Sequence, residues 1–246
     1  MAGKCNTVVS AFAFLGMLVA LVTVATSVFL LLPGTDEPIP TEGWWGFSES
    51  KPDSNKVTKM IIHYSNESLD DLKNRLSQTR YVDPLIGTQW EYGVETAYMK
   101  ELVEYWKNMY DWRKQERILN AYDQFTTTIE GIKIHFLHYK PAVKRGQRLI
   151  PILLIHGWPG SFYEFYKLIP KLEQYARGEF VFEVVCPSIP GYGFSEAPHR
   201  PGFDAVAAAR VFSKLMARLG LTSYYIQGGD WGSFIARLMA SKVDER

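Results

Sequence analysis

From Leu149 onward the chain repeats one unit, a strand, a loop and a helix, and this repetition restricts the possible folds more than any other feature. Leu149 to Ile155 is a continuous apolar run, the pattern of a strand buried on both faces of a parallel sheet. A helix is predicted near Tyr163 to Tyr175, followed by a second strand from Phe180 to Cys186. Asp204 stands where it can cap the next helix; Val206, Ala209, Phe212 and Met216 share one face of it, and Gly220 ends it. Ser223 to Gln227 forms a third strand, and Trp231 opens a further helix. Strands alternating with helices at these lengths specify an α/β fold with a parallel sheet.

Upstream the patterns differ. Ser68-Leu69-Asp70-Asp71 is expected to begin a helix with Leu69, Leu72 and Leu76 on one face and Ser68 as cap. A longer helix is expected from about Glu95 to Asn120, where Tyr98, Leu102, Trp106 and Tyr110 recur at helical spacing. Core packing is the expected use of that aromatic stripe. The period then becomes two: Phe125 to Ile129 and Ile132 to Phe136 alternate around Glu130-Gly131, the signature of a hairpin. His135 and His138 lie on this ribbon and are expected to be structural.

The amino terminus carries a different signal. No charged residue occurs from Val8 to Leu32. At a rise of about 1.5 Å per residue, such a helix crosses a hydrocarbon core of ~30 Å. A cleaved signal peptide is the competing reading, but its apolar region is usually only about 7–15 residues long. An uncleaved anchor is therefore expected, ended by Pro33-Gly34, with membrane lipid as its partner. Trp44 and Trp45 fit either a place at the headgroups or packing on the folded domain. A formal net charge of +1, from scattered lysines and arginines, gives no footprint for nucleic acid. Cys5 and Cys186 do not suggest a disulfide framework, and no metal-ligand spacing or cofactor motif is present.

Chemistry concentrates after two of the strands. The third strand runs into Gly228-Gly229-Asp230-Trp231-Gly232 and then a helix, with glycine two residues before and two after the aspartate. This is the nucleophile-elbow pattern, with aspartate where many hydrolases keep serine. Glycines let the chain reverse and let strand and helix approach, which exposes the central side chain above the sheet. An aspartate ionised at neutral pH is a nucleophile without a base to activate it, whereas serine needs one. Asp230 as a simple helix cap is the bland alternative. A second motif tells against it: His156-Gly157-Trp158-Pro159-Gly160 follows the first buried strand, where this architecture builds an oxyanion loop. The backbone N–H groups of Trp158 and Trp231 are expected to share a pocket as the oxyanion hole. His156 is expected to shape its loop rather than act as a base.

At these residues the chain resembles the microsomal epoxide hydrolases. The resemblance rests on Gly43-Trp44-Trp45-Gly46, Ile118-Leu119-Asn120, Ile129-Glu130-Gly131, Ile134-His135-Phe136, His156 to Ser161, Cys186 to Ser195 and Gly228 to Gly232. It implies an α/β-hydrolase core (141–246) behind an anchor (1–34) and an epoxide hydrolase N-terminal region (35–140). It also implies that Asp230 attacks an apolar epoxide to give an ester, which water activated by a histidine then cleaves to a diol. In the family that histidine, its acidic partner and the lid tyrosines lie downstream of the elbow, so 1–246 alone is expected to show no repeated turnover. The two motifs by themselves also admit haloalkane dehalogenases, or a non-catalytic membrane protein of hydrolase form. The resemblance implies the endoplasmic reticulum membrane with the domain facing the cytosol, and the acceptor pattern Asn66-Glu67-Ser68 offers a test of that orientation.

Overall fold

The computed structural model describes residues 40–175 and 179–242. The expected anchor lies outside them, as do Cys5 and the tether as far as Ile39. Among the described residues no helix is long and apolar enough to cross a membrane.

Strands β1 (Thr58–Met60), β2 (Gln124–Ile129), β3 (Ile132–Tyr139), β4 (Arg148–Ile155), β5 (Phe180–Pro187) and β6 (Tyr225–Gly228) form one sheet. Their spatial order is β1-β2-β3-β5-β4-β6. The three later strands are parallel, as the alternation of strands and helices predicts. The sheet as a whole is nevertheless mixed, because the hairpin joins it: β3 pairs antiparallel with β5, from Phe136 opposite Pro187 to Tyr139 opposite Val184. β3 buries side chains on both faces, Ile134 and Phe136 on one and His135 and Leu137 on the other, and so takes an interior place in the sheet.

Alternation along the strands separates two cores. Ile134, Phe136, Leu153, Ile155 and Val185 pack with helices α5 (Ala205–Arg218) and α6 (Trp231–Lys242). Leu137, Leu154, Val184 and Cys186 point the other way, toward Phe162, Phe165 and Tyr166 of a 3-10 helix (Phe162–Lys167) and Ile169 of α4 (Ile169–Tyr175). Asp204 does cap α5, its Oδ1 accepting from Ala207 N–H at 2.9 Å. Each fully buried Leu, Ile or Phe contributes roughly 1.5–3 kcal/mol.

Three local expectations need correction. Helix α1 spans Asn66–Ser77, and its cap is Ser65, whose Oγ accepts from Ser68 N–H at 3.2 Å. The long helix is two, α2 (Thr96–Asn108) and α3 (Trp112–Leu119). It breaks because Asp111 takes a cap geometry, its carboxylate accepting from Lys114 N–H at 3.0 Å, and an aspartate that bonds locally competes with helix continuation. The aromatic stripe is not core either: Tyr98 is 46% and Trp106 45% exposed. Leu102, Trp106 and Tyr110 instead line an open apolar groove of about 340 Å³ together with Leu72, Tyr105 and Trp112. Helical spacing shows that residues share a face, not that anything covers it.

The hairpin turn decides the position of Trp45. Glu130 and Gly131 both have positive φ, 51° and 82°, as a two-residue primed turn demands. Glutamate is unusual there, and it is held by its side chain. Arg210 donates to both carboxylate oxygens, at 2.6 and 2.8 Å, Lys214 lies at 2.9 Å, and Trp45 Nε1–H donates at 2.8 Å. Trp45 also meets Phe203 edge-on at 5.0 Å, while the Trp44 ring covers Gly131, where a Cβ would lie 2.7 Å from it. Both tryptophans therefore pack on the folded domain.

Candidate active site

β4 and β6 are neighbours in the sheet, with Ile155 opposite Gly228 in register. Their carboxyl ends therefore release two loops at one place, and Gly229 N–H reaches Ile155 O at 3.4 Å. Ligands of open α/β sheets bind outside the carboxyl ends of the strands. One loop is His156–Gly160 and the other is the turn through Asp230 into α6.

The turn is as tight as its glycines suggest. A Cβ on Gly228 would sit 2.1 Å from Gly232 O, and one on Gly232 would sit 2.2 Å from Ile155 O. Both contacts are with backbone, so neither residue can carry a side chain. Gly229 differs: nothing lies within 4 Å of its Cβ position. Asp230 takes φ 51°, a conformation that costs a non-glycine residue about 1 kcal/mol or more. Gly232 N–H to Gly229 O (2.8 Å) and Ser233 N–H to Asp230 O (2.9 Å) fix it there.

The strained turn presents an exposed carboxylate to fixed donors. Trp158 N–H donates to Asp230 Oδ1 at 2.8 Å, and the Trp231 N–H donates to the same carboxylate. These two bonds, Trp158 first, hold the Asp230 carboxyl below its ordinary range. It is therefore fully ionised at neutral pH. Gly157 makes room for it, since a Cβ there would lie 2.5 Å from Asp230 Cβ and 2.7 Å from Oδ1. The Trp158, Trp231 and Phe234 side chains are half or more exposed and give the surroundings an apolar character.

His156 is buried with both ring nitrogens engaged. Nε2 accepts from Ile189 N–H at 3.0 Å, which leaves the ring proton on Nδ1, directed at Gly157 O at 3.1 Å. Burial lowers its pKa, so the ring is neutral and ties the loop to the segment after β5. Trp158-Pro159 is a cis peptide within this loop. The other four histidines are engaged elsewhere. His135 lies between Ser188 Oγ and Gln124 Oε1, each at 2.9 Å, with its pKa pulled down to about 3 by burial and then by Lys133. His138 pairs with Glu183, His199 with Glu196, and His63 with Glu116.

One residue near the site was not legible in the sequence. Glu164 follows Ser161 by three residues, the spacing of a capping box, and its bland use hides any other. Ser161 does cap the 3-10 helix, but the Glu164 carboxylate lies against Gly160, where a Cβ would be 2.6 Å from Oε2. Only the charge that reaches it from Asp230 reveals the neighbourhood.

A mixed sheet whose β6 ends in a glycine-flanked, left-handed acidic elbow, facing a glycine-rich loop after β4, defines an α/β-hydrolase. Comparison with known proteins agrees. A family model described as "Epoxide hydrolase N terminus" matches residues 57–165, and one described as "alpha/beta hydrolase fold" matches residues 150–246. Epoxide hydrolase 1 of Sus scrofa is 48% identical over 82% of this chain and 46% of its own length. Juvenile hormone epoxide hydrolase 1 of Ctenocephalides felis is 42% identical over 84% and 45%. The crystal structure of juvenile hormone epoxide hydrolase from the silkworm Bombyx mori superposes with a TM-score of 0.76 at 38% identity, covering 82% of this chain and 54% of that one. The chain belongs to the epoxide hydrolase family. It spans about half the length of the curated relatives it matches.

Proposed function

We propose that the protein hydrolyses apolar epoxides to vicinal diols through an ester on Asp230. In the first step the Asp230 carboxylate attacks an epoxide carbon. The ring C–O bond breaks, and the freed oxygen takes up one proton. In the second step water adds to Asp230 Cγ, the ester C–O bond breaks, and one proton is given back, so the sum is epoxide plus water to diol. The observation that carries this reading is the pair of backbone N–H groups, Trp158 and Trp231, on a carboxylate at an exposed elbow. The same donors stabilise the oxyanion formed when water adds, and one such donor is worth roughly 10²–10³ in rate. The apolar rings of Trp158, Trp231 and Phe234 suit an apolar epoxide, and relatives named for epoxide hydrolysis support the substrate class. A single turnover in heavy-oxygen water should put the label on the Asp230 side chain. Label in the diol and none on the enzyme would mean direct attack by water and overturn the proposal.

The same reading places the protein at the endoplasmic reticulum membrane, held in lipid by the uncharged run Val8–Leu32 with the domain on the cytosolic side. The intact chain should stay with microsomes through an alkaline carbonate wash, and deleting Met1 to Leu32 should release it. Recovery of the intact chain in the wash would defeat the anchor. Asn66 is exposed at the start of α1, so a glycan on it would show the domain to be lumenal.

A further inference from the structure

Two glycines of the loop after β4 each make room for a carboxylate. A Cβ on Gly157 would lie 2.7 Å from Asp230 Oδ1, and one on Gly160 would lie 2.6 Å from Glu164 Oε2 and 3.3 Å from Gly157 O. One short loop thus lies against two acidic groups, one at each glycine, while its Trp158 N–H binds the first. The two carboxylates are treated differently. Asp230 has backbone donors; the Glu164 carboxylate has no hydrogen-bond or ion-pair partner among the described residues. Gly160 thus leaves room for a carboxylate that meets no donor among the described residues and lies within reach of the Asp230 charge.

We infer that Glu164 is a positioning residue for the second step, its carboxylate accepting a hydrogen bond from the water that attacks the Asp230 ester. The inference rests on the Asp230-ester reading and deepens it. The rings of Trp158, Trp231 and Phe234 offer a water beside the ester no acceptor, so one supplied by the protein can orient it for attack. Glu164 offers it on the loop that also carries an oxyanion donor. Its charge is timed by the chemistry. Partial burial and then the charge of Asp230 raise the Glu164 pKa in the resting enzyme. Esterification removes the Asp230 charge, which strengthens Glu164 as an acid and favours its carboxylate form at the stage when water must be held. The titratable groups whose charges meet it are Asp230 on the elbow and the buried Cys186 thiol on β5.

The test follows the ester by rapid quench and intact mass in the full chain, using styrene oxide as probe. In Glu164→Gln the adduct should form within about threefold of the parent rate but decay on the order of tenfold to a hundredfold more slowly. Glu164→Asp should recover part of the decay rate. Decay in the parent should quicken with rising pH, and Glu164→Gln should keep only the part of that rise that belongs to the histidine activating the water. Unchanged decay in Glu164→Gln, or formation slowed as much as decay, overturns the role of Glu164 while leaving the ester intact. Absence of any adduct on Asp230 in the folded parent overturns both.

Discussion

Replacing Asp230 with alanine eliminates the covalent adduct and, where the downstream histidine is present to support turnover, lowers diol formation by at least about 10⁴-fold, the scale on which enzymes lose activity with their nucleophile. The expectation follows from how little else can substitute. Glu164 is a carboxylate within reach of the Asp230 charge, but among the described residues no backbone N–H donates to it to stabilise the oxyanion of its own ester. The five histidines are held in pairs away from Asp230, or, like His156, have both nitrogens engaged. Asp230→Ala also loses an anion from the start of α6, where the carboxylate is exposed, and leaves the fold intact. Gly229→Ala is the control on the same turn. With no atom within 4 Å of its Cβ position, it should match the parent within about twofold. Peptide mapping of the quenched adduct locates the modified residue. An adduct persisting in Asp230→Ala would assign the chemistry to another side chain.

The contrast between Gly229 and its neighbours shows how much of the site the sequence carried. Glycine two before and two after the aspartate is dictated by backbone collisions at Gly228 and Gly232, so the spacing held the geometry. The third glycine occupies no such constraint, and spacing alone could not separate it from the other two. Strand β4 was legible for a similar reason, because burial on both faces leaves a continuous apolar run, whereas the hairpin showed itself by alternation. Interactions between distant segments were not legible. Nothing near Asp111 in sequence marks it as the break between α2 and α3, since the cap competes with an otherwise good helix. Serines at positions 65 and 68 both suit a cap, and only the backbone conformation chooses Ser65. Glu164 was hidden by a motif with a common structural use. Trp45 could be placed only once Glu130 and Phe203, far away in sequence, were in view.

Glu130 is the residue whose loss should cost the fold most. It turns the hairpin at positive φ, and its carboxylate, 1% exposed, faces Arg210, Lys214 and the Trp45 indole. Glu130→Ala strands the Arg210 guanidinium, itself 8% exposed, without its partner, and a buried charge left uncompensated costs about 3–5 kcal/mol. Lys214, 36% exposed, can turn to solvent and adds little. Urea unfolding followed by circular dichroism should show the midpoint fall accordingly. A double variant, Glu130→Ala with Arg210→Met, should recover a large part of the loss, because the stranded charge is gone. Additive losses would mean that the ion pair is not the cause. The pH dependence gives an independent check. Burial pushes the Glu130 carboxyl up, but hydrogen bonds and charge from Arg210 and Lys214 outweigh it, and the folded pKa lies below 4.5. A lowered folded pKa means that the unfolded chain binds the proton first, so stability rises with pH through this window. The Glu130 contribution is complete above the unfolded value and is lost as pH falls through the folded one. The parent should therefore lose stability on acidification more steeply than Glu130→Gln below about pH 4.5. Parallel acid limbs in the two proteins would place the linkage in other carboxylates.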